Sequence, residues 1–394
     1  MPVTRRDLAQ GTAAALALPW MRRAAAAPGP LVVVVEAEYG YPSSTSAQAV
    51  ELGVRIACDA INAARPPGAP MLEVRPSDNG AIAAIAVDNF LAAADDPAVI
   101  AVFGGKFSPV QIELVPHAAA RGLLLLSPWG SADGIVAPGR DLGWSFRLSL
   151  RDSWAAPAFV AEARRQHGAT RLGLLLPTTA WGRSNEQALT LAAAVGGAAI
   201  VGARWFHWGE KSLVARYQEL RRAGAEAIIL IANETEGAVL VRELAALPAA
   251  ERLPVISHWG ISGGQFPALA GPALAAVDLS VIQTFSFVGN ARPEAASLLA
   301  EVQRRRNGVA AARVESPVGV AQGHDLMRLL GLALHRVGGG DRAALRDALE
   351  ALPRFAGAVR DYDPAFTAAR HEALGPEQIL FARYTEAGAL LPVA

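Results

Sequence analysis

Two kinds of apolar run alternate along the chain. Short continuous runs such as Leu31–Glu36 have the β-branched character of a strand buried on both faces. Longer stretches between them repeat apolar residues at helical spacing. Ser46–Ala64 puts Val50, Val54, Ile56, Ala57, Ala60 and Ile61 largely on one side, and Ala81–Ala94 does so with Ile82, Ile85, Ala86, Phe90 and Leu91. Strands are expected at Met71–Pro76, Val99–Phe103 and Leu123–Leu126, with a helix from about Pro109 to Ala120. A second alternation starts at Ser153 with a helix to about His167. It continues through strand Arg171–Leu176, helix Ser184–Val195, strand Ala199–Trp205, helix Leu213–Ala223 and strand Ala227–Ile231. Helix Glu236–Leu247 and strands Pro254–Ser257 and Val277–Gln283 follow. Helices Pro293–Arg306, Val318–Val337 and Asp341–Leu352 precede a last strand at Gln378–Tyr384. The pattern predicts an α/β protein with two doubly wound parallel-sheet lobes, joined near Phe146–Arg151 and again near Phe285–Asn290. Ligands of open α/β sheets bind beyond the carboxyl ends of the strands, so two facing lobes form a ligand cleft.

Composition narrows the function. With 52% hydrophobic and 18% charged residues, the 394-residue chain can bury a sizeable core and is not of the disordered class. Lys+Arg and Asp+Glu both number 36, so no basic excess points to nucleic acid or anionic lipid. The single cysteine, Cys58, excludes a disulfide scaffold, a Cys-rich zinc site and an iron–sulfur cluster held by this chain.

The first residues read as a targeting segment. Arg5-Arg6 precedes a short apolar run from Gly11 to Trp20, and Ala24–Ala27 offers a small-residue cleavage zone. The run is about half of the roughly 20 residues that span a bilayer. Thr4-Arg5-Arg6-Asp7-Leu8 resembles a twin-arginine export motif, and residues 1–26 are expected to be the signal peptide. An amphipathic or disordered tail is the alternative. Cleavage after Ala26 removes Arg5, Arg6, Arg22 and Arg23 with one acid, Asp7, which leaves a mildly acidic chain suited to the periplasm. No later apolar stretch is long enough to cross a membrane.

Ala47–Ala57 with Ala60–Ala64 reads as a helix and turn, and Ser77-Asp78-Asn79, Val102–Ser108, Leu126–Ser131, Trp181-Gly182-Arg183 and His324-Asp325-Leu326 follow it in order. Together these segments resemble the type I periplasmic binding proteins, in the branched-chain amino-acid class of ABC-transporter solute receptors, the first of them being similar to that family's first helix and the turn after it. The resemblance covers nearly the whole chain after the targeting segment. It implies residues 30–147 plus 285–338 in lobe 1, and 148–284 plus 339–394 in lobe 2.

The resemblance also implies site residues. The loops after the third and fourth strands grip the solute's carboxylate, which nominates Ser108, Ser127 and Ser131. Ser108 reads equally as a helix N-cap, and Ser127 and Ser131 as turn formers around Pro128 and Gly130. Trp181 stands where the family has a tyrosine facing the ligand's ammonium. No acid occupies His258-Trp259-Gly260, where that ammonium's partner belongs, and a buried ammonium without a counter-charge is costly. Glu38 is one candidate replacement; a solvated loop charge is its alternative reading. Tyr39 and Tyr41 share that loop. Trp129, Trp181 and Trp259 all fall at strand ends facing the cleft, as an aromatic wall for a flat or cationic solute, or separately as core. His324 is a further candidate, or a capping residue.

No G-x-S-x-G elbow, H-E-x-x-H, phosphate loop or G-x-G-x-x-G is present, and Gly104–Ser108 mimics a phosphate loop only loosely. Neither a catalytic residue, a metal site nor a cofactor is expected. The sequence thus points to an exported, monomeric receptor. It captures a small polar organic solute (amino-acid-like, amide or aromatic) by lobe closure and hands it to an ABC permease in the inner membrane. A sensor of the same fold acting on a signalling partner is the second reading, and an α/β enzyme the third.

Overall fold

The computed structural model describes residues 29–136 and 143–393, so the expected signal peptide lies outside the described residues. Lobe 1 is built on a five-stranded parallel sheet. Its strands are β1 (Leu31–Ala37), β2 (Leu72–Asp78), β3 (Val99–Gly104), β4 (Leu124–Ser127) and β5 (Ser145–Arg147), in the order β2-β1-β3-β4-β5. Helices α1 (Ser46–Ala64), α2 (Ala83–Asp95) and α3 (Ser108–Arg121) cross between them. Lobe 2 repeats the layout. Helix α4 (Asp152–His167) leads into strands β6 (Arg171–Pro177), β7 (Ala199–Phe206), β8 (Ala227–Leu230), β9 (Val255–Ser257) and β10 (Leu279–Gln283). These alternate with α5 (Ala180–Gly196), α6 (Val214–Arg222), α7 (Glu234–Ala245) and the short α8 (Phe266–Ala270). The remaining elements are α9 (Pro293–Arg305), α10 (Pro317–Val337), α11 (Arg342–Leu349), a hairpin of β11 (Phe355–Ala356) and β12 (Asp361–Tyr362), then β13 (Leu380–Tyr384) and β14 (Leu390–Pro392). The last two join the second sheet antiparallel, giving the order β14-β13-β10-β9-β8-β6-β7.

Both sheets reverse direction at an internal strand, beside β1 in one and β6 in the other. That places a crevice at the carboxyl edge of each. The first sheet is apolar on both faces. Val33, Val35, Ile100, Phe103 and Leu126 pack to one side, and Val32, Val34, Val99, Val102 and Leu125 to the other. One helical layer is pinned by a very close crossing of α1 and α10. A Cβ on Gly53 would stand 2.0 Å from the Val320 carbonyl oxygen, so only glycine lets these two helices approach so far.

The lobe boundary differs from the expected one. Residues 339–374, expected in lobe 2, pack on lobe 1. The Arg342 guanidinium donates to the carbonyls of Ala94 (3.0 Å), Asp96 (2.8 Å) and Val99 (2.9 Å). The Arg147 amide donates to the His371 carbonyl at 2.8 Å. The chain returns to lobe 2 only for β13 and β14. Strand β5, expected to be a plain linker, is the edge of the first sheet.

Glu36 on β1 is almost fully buried, with the Asn89 amide donating to both its carboxylate oxygens at 3.2 and 3.3 Å. Burial pushes its pKa up from 4.5 to about 7. The folded state therefore prefers the protonated form. Stability from this group is full below pH 4.5 and is lost as the pH rises through 7. Glu36→Gln is expected to match the parent at pH 4.5 and to exceed it at pH 8, by up to about 3 kcal/mol. Thermal unfolding at the two pH values reads the difference. Equal offsets at both would refute it.

Candidate functional site

The two sheets meet at their carboxyl edges, where loops from both lobes enclose a small cavity. Lobe 1 contributes Lys106, Phe107, Ser108, Trp129 and Ser131; lobe 2 contributes Trp181, Trp208, Asn233, His258 and Gly260. The volume open to the centre of a water-sized sphere is about 10 Å³, room for about one water. The lobes are therefore closed upon one another in this structure.

Local sequence fixes each wall. Trp181 sits in the first turn of α5, which starts four residues before the expected boundary, because Thr179 caps it by accepting from the Gly182 amide at 3.3 Å. The Trp181 ring rests against Gly260, edge-on to His258 at 4.9 Å. Trp129 follows β4; its carbonyl accepts from the Ser149 hydroxyl at 2.8 Å and its ring lies over Gly319 of α10. Of its two readings, the cap is not realised: Ser108 is the first residue of α3 and its side chain does not cap that helix. Its hydroxyl oxygen accepts from the amides of Ser131 (3.1 Å) and Ala132 (3.2 Å), tying the loop after β3 to the loop after β4.

Closure rests on contacts between the lobes. The Lys106 ammonium meets the Glu234 carboxylate at 2.7 Å, with both side chains buried. Glu234 also accepts from the Ser43 hydroxyl at 3.0 Å. The Phe107 ring meets Trp208 edge to face at 4.8 Å, and Tyr41 backs Phe107 at 5.3 Å. Ser44 pairs with Gly264 in a single antiparallel bridge. Trp208 is presented by the loop after β7, which the Glu236 carboxylate holds by accepting from the Gly209 amide at 2.7 Å. Burial raises the Glu236 pKa.

Of the nominated residues, the structure brings Ser108, Trp129, Ser131 and Trp181 together. It does not bring the others to the cavity. Trp259 is fully buried behind His258, ring to ring at 3.7 Å, and belongs to the core. Ser127 is buried one step back on β4. Tyr39 packs in the core near Glu51, and burial drives its phenol far up. Tyr41 supports the wall through Phe107, and burial pushes it up to about 12. His324 lines a separate groove with Asp59, Arg328 and Phe355, where its Nδ1 lies 3.0 Å from Asp325. Glu38 is not a solvated loop charge. It is 1% exposed and accepts from the hydroxyls of Ser44 and Ser46 and from the Lys106 amide.

Sequence reasoning missed Lys106, Phe107, Trp208, Asn233 and Glu234. One signal was available for Lys106. Among 36 basic residues only two, Lys106 and Lys211, are lysine. A chain that uses arginine almost everywhere else keeps a slim, single-point cation at this loop.

Among the described residues no carboxylate lines the cavity, so no acid there is set to pair with a ligand's ammonium. His258 stands where that acid was sought. Burial lowers its pKa, and nearby Asp152 only partly opposes this, so the ring is held toward neutrality. Among the described residues no cluster of three or more His, Cys, Asp or Glu side chains can hold a metal, and no helix is long and apolar enough to cross a membrane.

No curated protein sequence matches the chain. Solved structures do resemble it. A type 1 periplasmic binding protein from Bordetella pertussis superposes with a TM-score of 0.83 at 18% identity, covering 92% of this chain and 100% of that one. The branched-chain amino acid transporter substrate-binding protein LivJ of Streptococcus pneumoniae, solved with isoleucine, gives 0.75 at 18% identity over 92% and 100%. A solute-binding protein of an ABC transporter from R. palustris, solved with benzoate, gives 0.76 at 16% identity over 93% and 96%. The profile of a family described as "Periplasmic binding protein" matches residues 37–389. With that match spanning most of its length, and with two doubly wound lobes closed over a shared cavity, the chain belongs to the periplasmic binding protein family and has its type I fold.

Proposed function

We propose that this protein is an exported receptor for an ABC importer, which closes its lobes on a small flat organic solute and delivers it to an inner-membrane permease. The observation that carries this reading is the cavity at the facing sheet edges, walled by Trp129, Trp181, Trp208 and Phe107 from both lobes. Rings drawn from two lobes suit a planar solute gripped on closure. Similar folds hold isoleucine in one case and benzoate in another. The lack of a lining carboxylate argues against a simple aliphatic amino acid here. Export by the twin-arginine route is part of the same proposal and rests on Arg5-Arg6.

A thermal-shift screen over amino acids, amides and aromatic acids tests the reading, since a solute bound only by the folded state raises the melting temperature. Small-angle scattering should show the radius of gyration fall on saturation. Trp181→Ala is expected to weaken that solute roughly tenfold, about 1.4 kcal/mol. Trp259→Ala, a core truncation, should instead cost about 3–5 kcal/mol of stability. A protein that no solute in the screen stabilises or compacts would overturn the proposal.

A further inference from the structure

Several polar groups around the cavity offer protons, while the Asn233 carboxamide also brings an acceptor oxygen. The Ser108 oxygen already accepts two amide protons, so what its hydroxyl has left to offer is its own proton. The Gly260 amide donates to His258 Nδ1 at 3.0 Å, which puts the proton of the neutral ring on Nε2. The indole N–H groups of Trp181 and Trp208 are buried and have no acceptor. Lys106 carries three protons, and its ammonium has one described side-chain partner, Glu234. Buried donors without acceptors are costly and call for an explanation.

Two of the acids nearby are engaged elsewhere: Glu234 holds Lys106 and Ser43, and Glu38 holds Ser44, Ser46 and the Lys106 amide. Asp152 is buried outside the cavity lining, 3.6 Å from His258 Nε2, with no hydrogen-bond partner on either carboxylate oxygen. A cationic solute would therefore meet Lys106 and several N–H and O–H protons, with no carboxylate in the lining among the described residues to receive it. An oxyanion would satisfy the orphaned donors at once. Charge-assisted bonds from an ammonium and from indole N–H groups are roughly twice as strong as neutral ones.

Resting on the solute-receptor reading above, we propose that the solute is a flat organic acid. Its carboxylate oxygens are read by the indole N–H groups of Trp181 and Trp208 and by Lys106, and its plane lies against the ring of Trp129. Of the two alternatives left by the sequence, flat and cationic, this keeps the first and replaces the second with an anion. In the closed form Trp208 abuts Phe107 and little volume remains, so the acid is admitted when that aromatic contact between the lobes parts. Lys106 then bridges two carboxylates, those of Glu234 and the solute.

Three planar probes of nearly one shape separate the possibilities: benzoate, benzamide and benzamidinium, with L-isoleucine as the aliphatic control. Calorimetric titration of the full-length mature protein is expected to give benzoate at least tenfold tighter than benzamide, with no binding of benzamidinium. Lys106→Met together with Glu234→Gln removes the cation without stranding a buried charge, and should bring benzoate and benzamide within about twofold. Trp208→Phe keeps a ring against Phe107 but loses the N–H; it should weaken benzoate several-fold and serves if the double variant does not fold. Equal or tighter binding of benzamidinium or L-isoleucine would overturn the proposal, as would an unchanged benzoate preference in these variants. If no probe binds but the wider screen finds a non-acidic solute that compacts the protein, the acid assignment fails and the receptor reading stands. If nothing binds at all, both fail.

Discussion

Gly264→Ala is expected to hold the two lobes apart. Gly264 belongs to lobe 2, and its α-carbon faces the loop between β1 and α1 of lobe 1. A Cβ there would stand 2.0 Å from the Ser43 carbonyl oxygen and 2.9 Å from Cγ of Glu234. The Ser43 carbonyl cannot swing away, because it accepts from the Gln265 amide at 3.0 Å in the same bridge. The clash with Ser43 exists only when the lobes are closed, whereas the approach to Glu234 lies within lobe 2 and meets a flexible side chain, so the variant chiefly penalises closure. Solute affinity should fall at least tenfold, about 1.4 kcal/mol, because the binding-competent population shrinks. Scattering at saturating solute should give a larger radius of gyration than the parent, while the melting temperature without solute changes little. Equal compaction and affinity in the two proteins would show that the bridge does not govern closure.

Arg147→Met is the second large effect. Arg147 is wholly buried and forms a two-pronged ion pair with Glu372: Nε to Oε2 at 2.7 Å and Nη2 to Oε1 at 2.5 Å. Its third nitrogen donates to the Ala132 carbonyl at 2.7 Å. Removing the guanidinium leaves the Glu372 carboxylate buried and unpaired, at a cost of about 3–5 kcal/mol. The denaturant midpoint of the variant should drop accordingly. Arg147→Met with Glu372→Leu should recover most of the loss, since replacing both members of a buried pair by apolar groups is often close to neutral. A single variant as stable as the parent would contradict this account.

These cases show what the sequence could reveal. Strands such as β1 and β3 were readable because their apolar runs are unbroken, and the helices because their stripes keep period. β5 was not, since a three-residue strand ending in arginine looks like a linker until Glu372 is brought beside it. The start of α5 was hidden for a similar reason: Trp181-Gly182-Arg183 has no helical signature of its own, and the cap at Thr179 sets the first turn. At the site, topology nominated residues that follow strands, and the structure places Trp129 and Trp181 among them at the cavity. It could not see Trp208, whose partner Phe107 lies on the other lobe, nor the pairing of Lys106 with Glu234. Contacts between distant segments leave no periodic trace in either one. Trp259 erred in the other direction, because a position after a strand end is also where a core side chain can turn inward.

The path of the chain through the lobes carries a consequence for how the protein is made. Lobe 2 draws its helices α4–α8 and strands β6–β10 from one contiguous stretch, and β13 with β14 only covers its edge. Lobe 1 completes its strands first, with β5, yet α10, α11 and the partner of Arg147 arrive near the end of the chain. Contacts so far apart in sequence form slowly, and synthesis runs from the N-terminus. The lobe emerging first from the ribosome is therefore the last to consolidate. Until α10, α11 and Glu372 have been made, its sheet lacks part of its apolar cover and Arg147 lacks its partner.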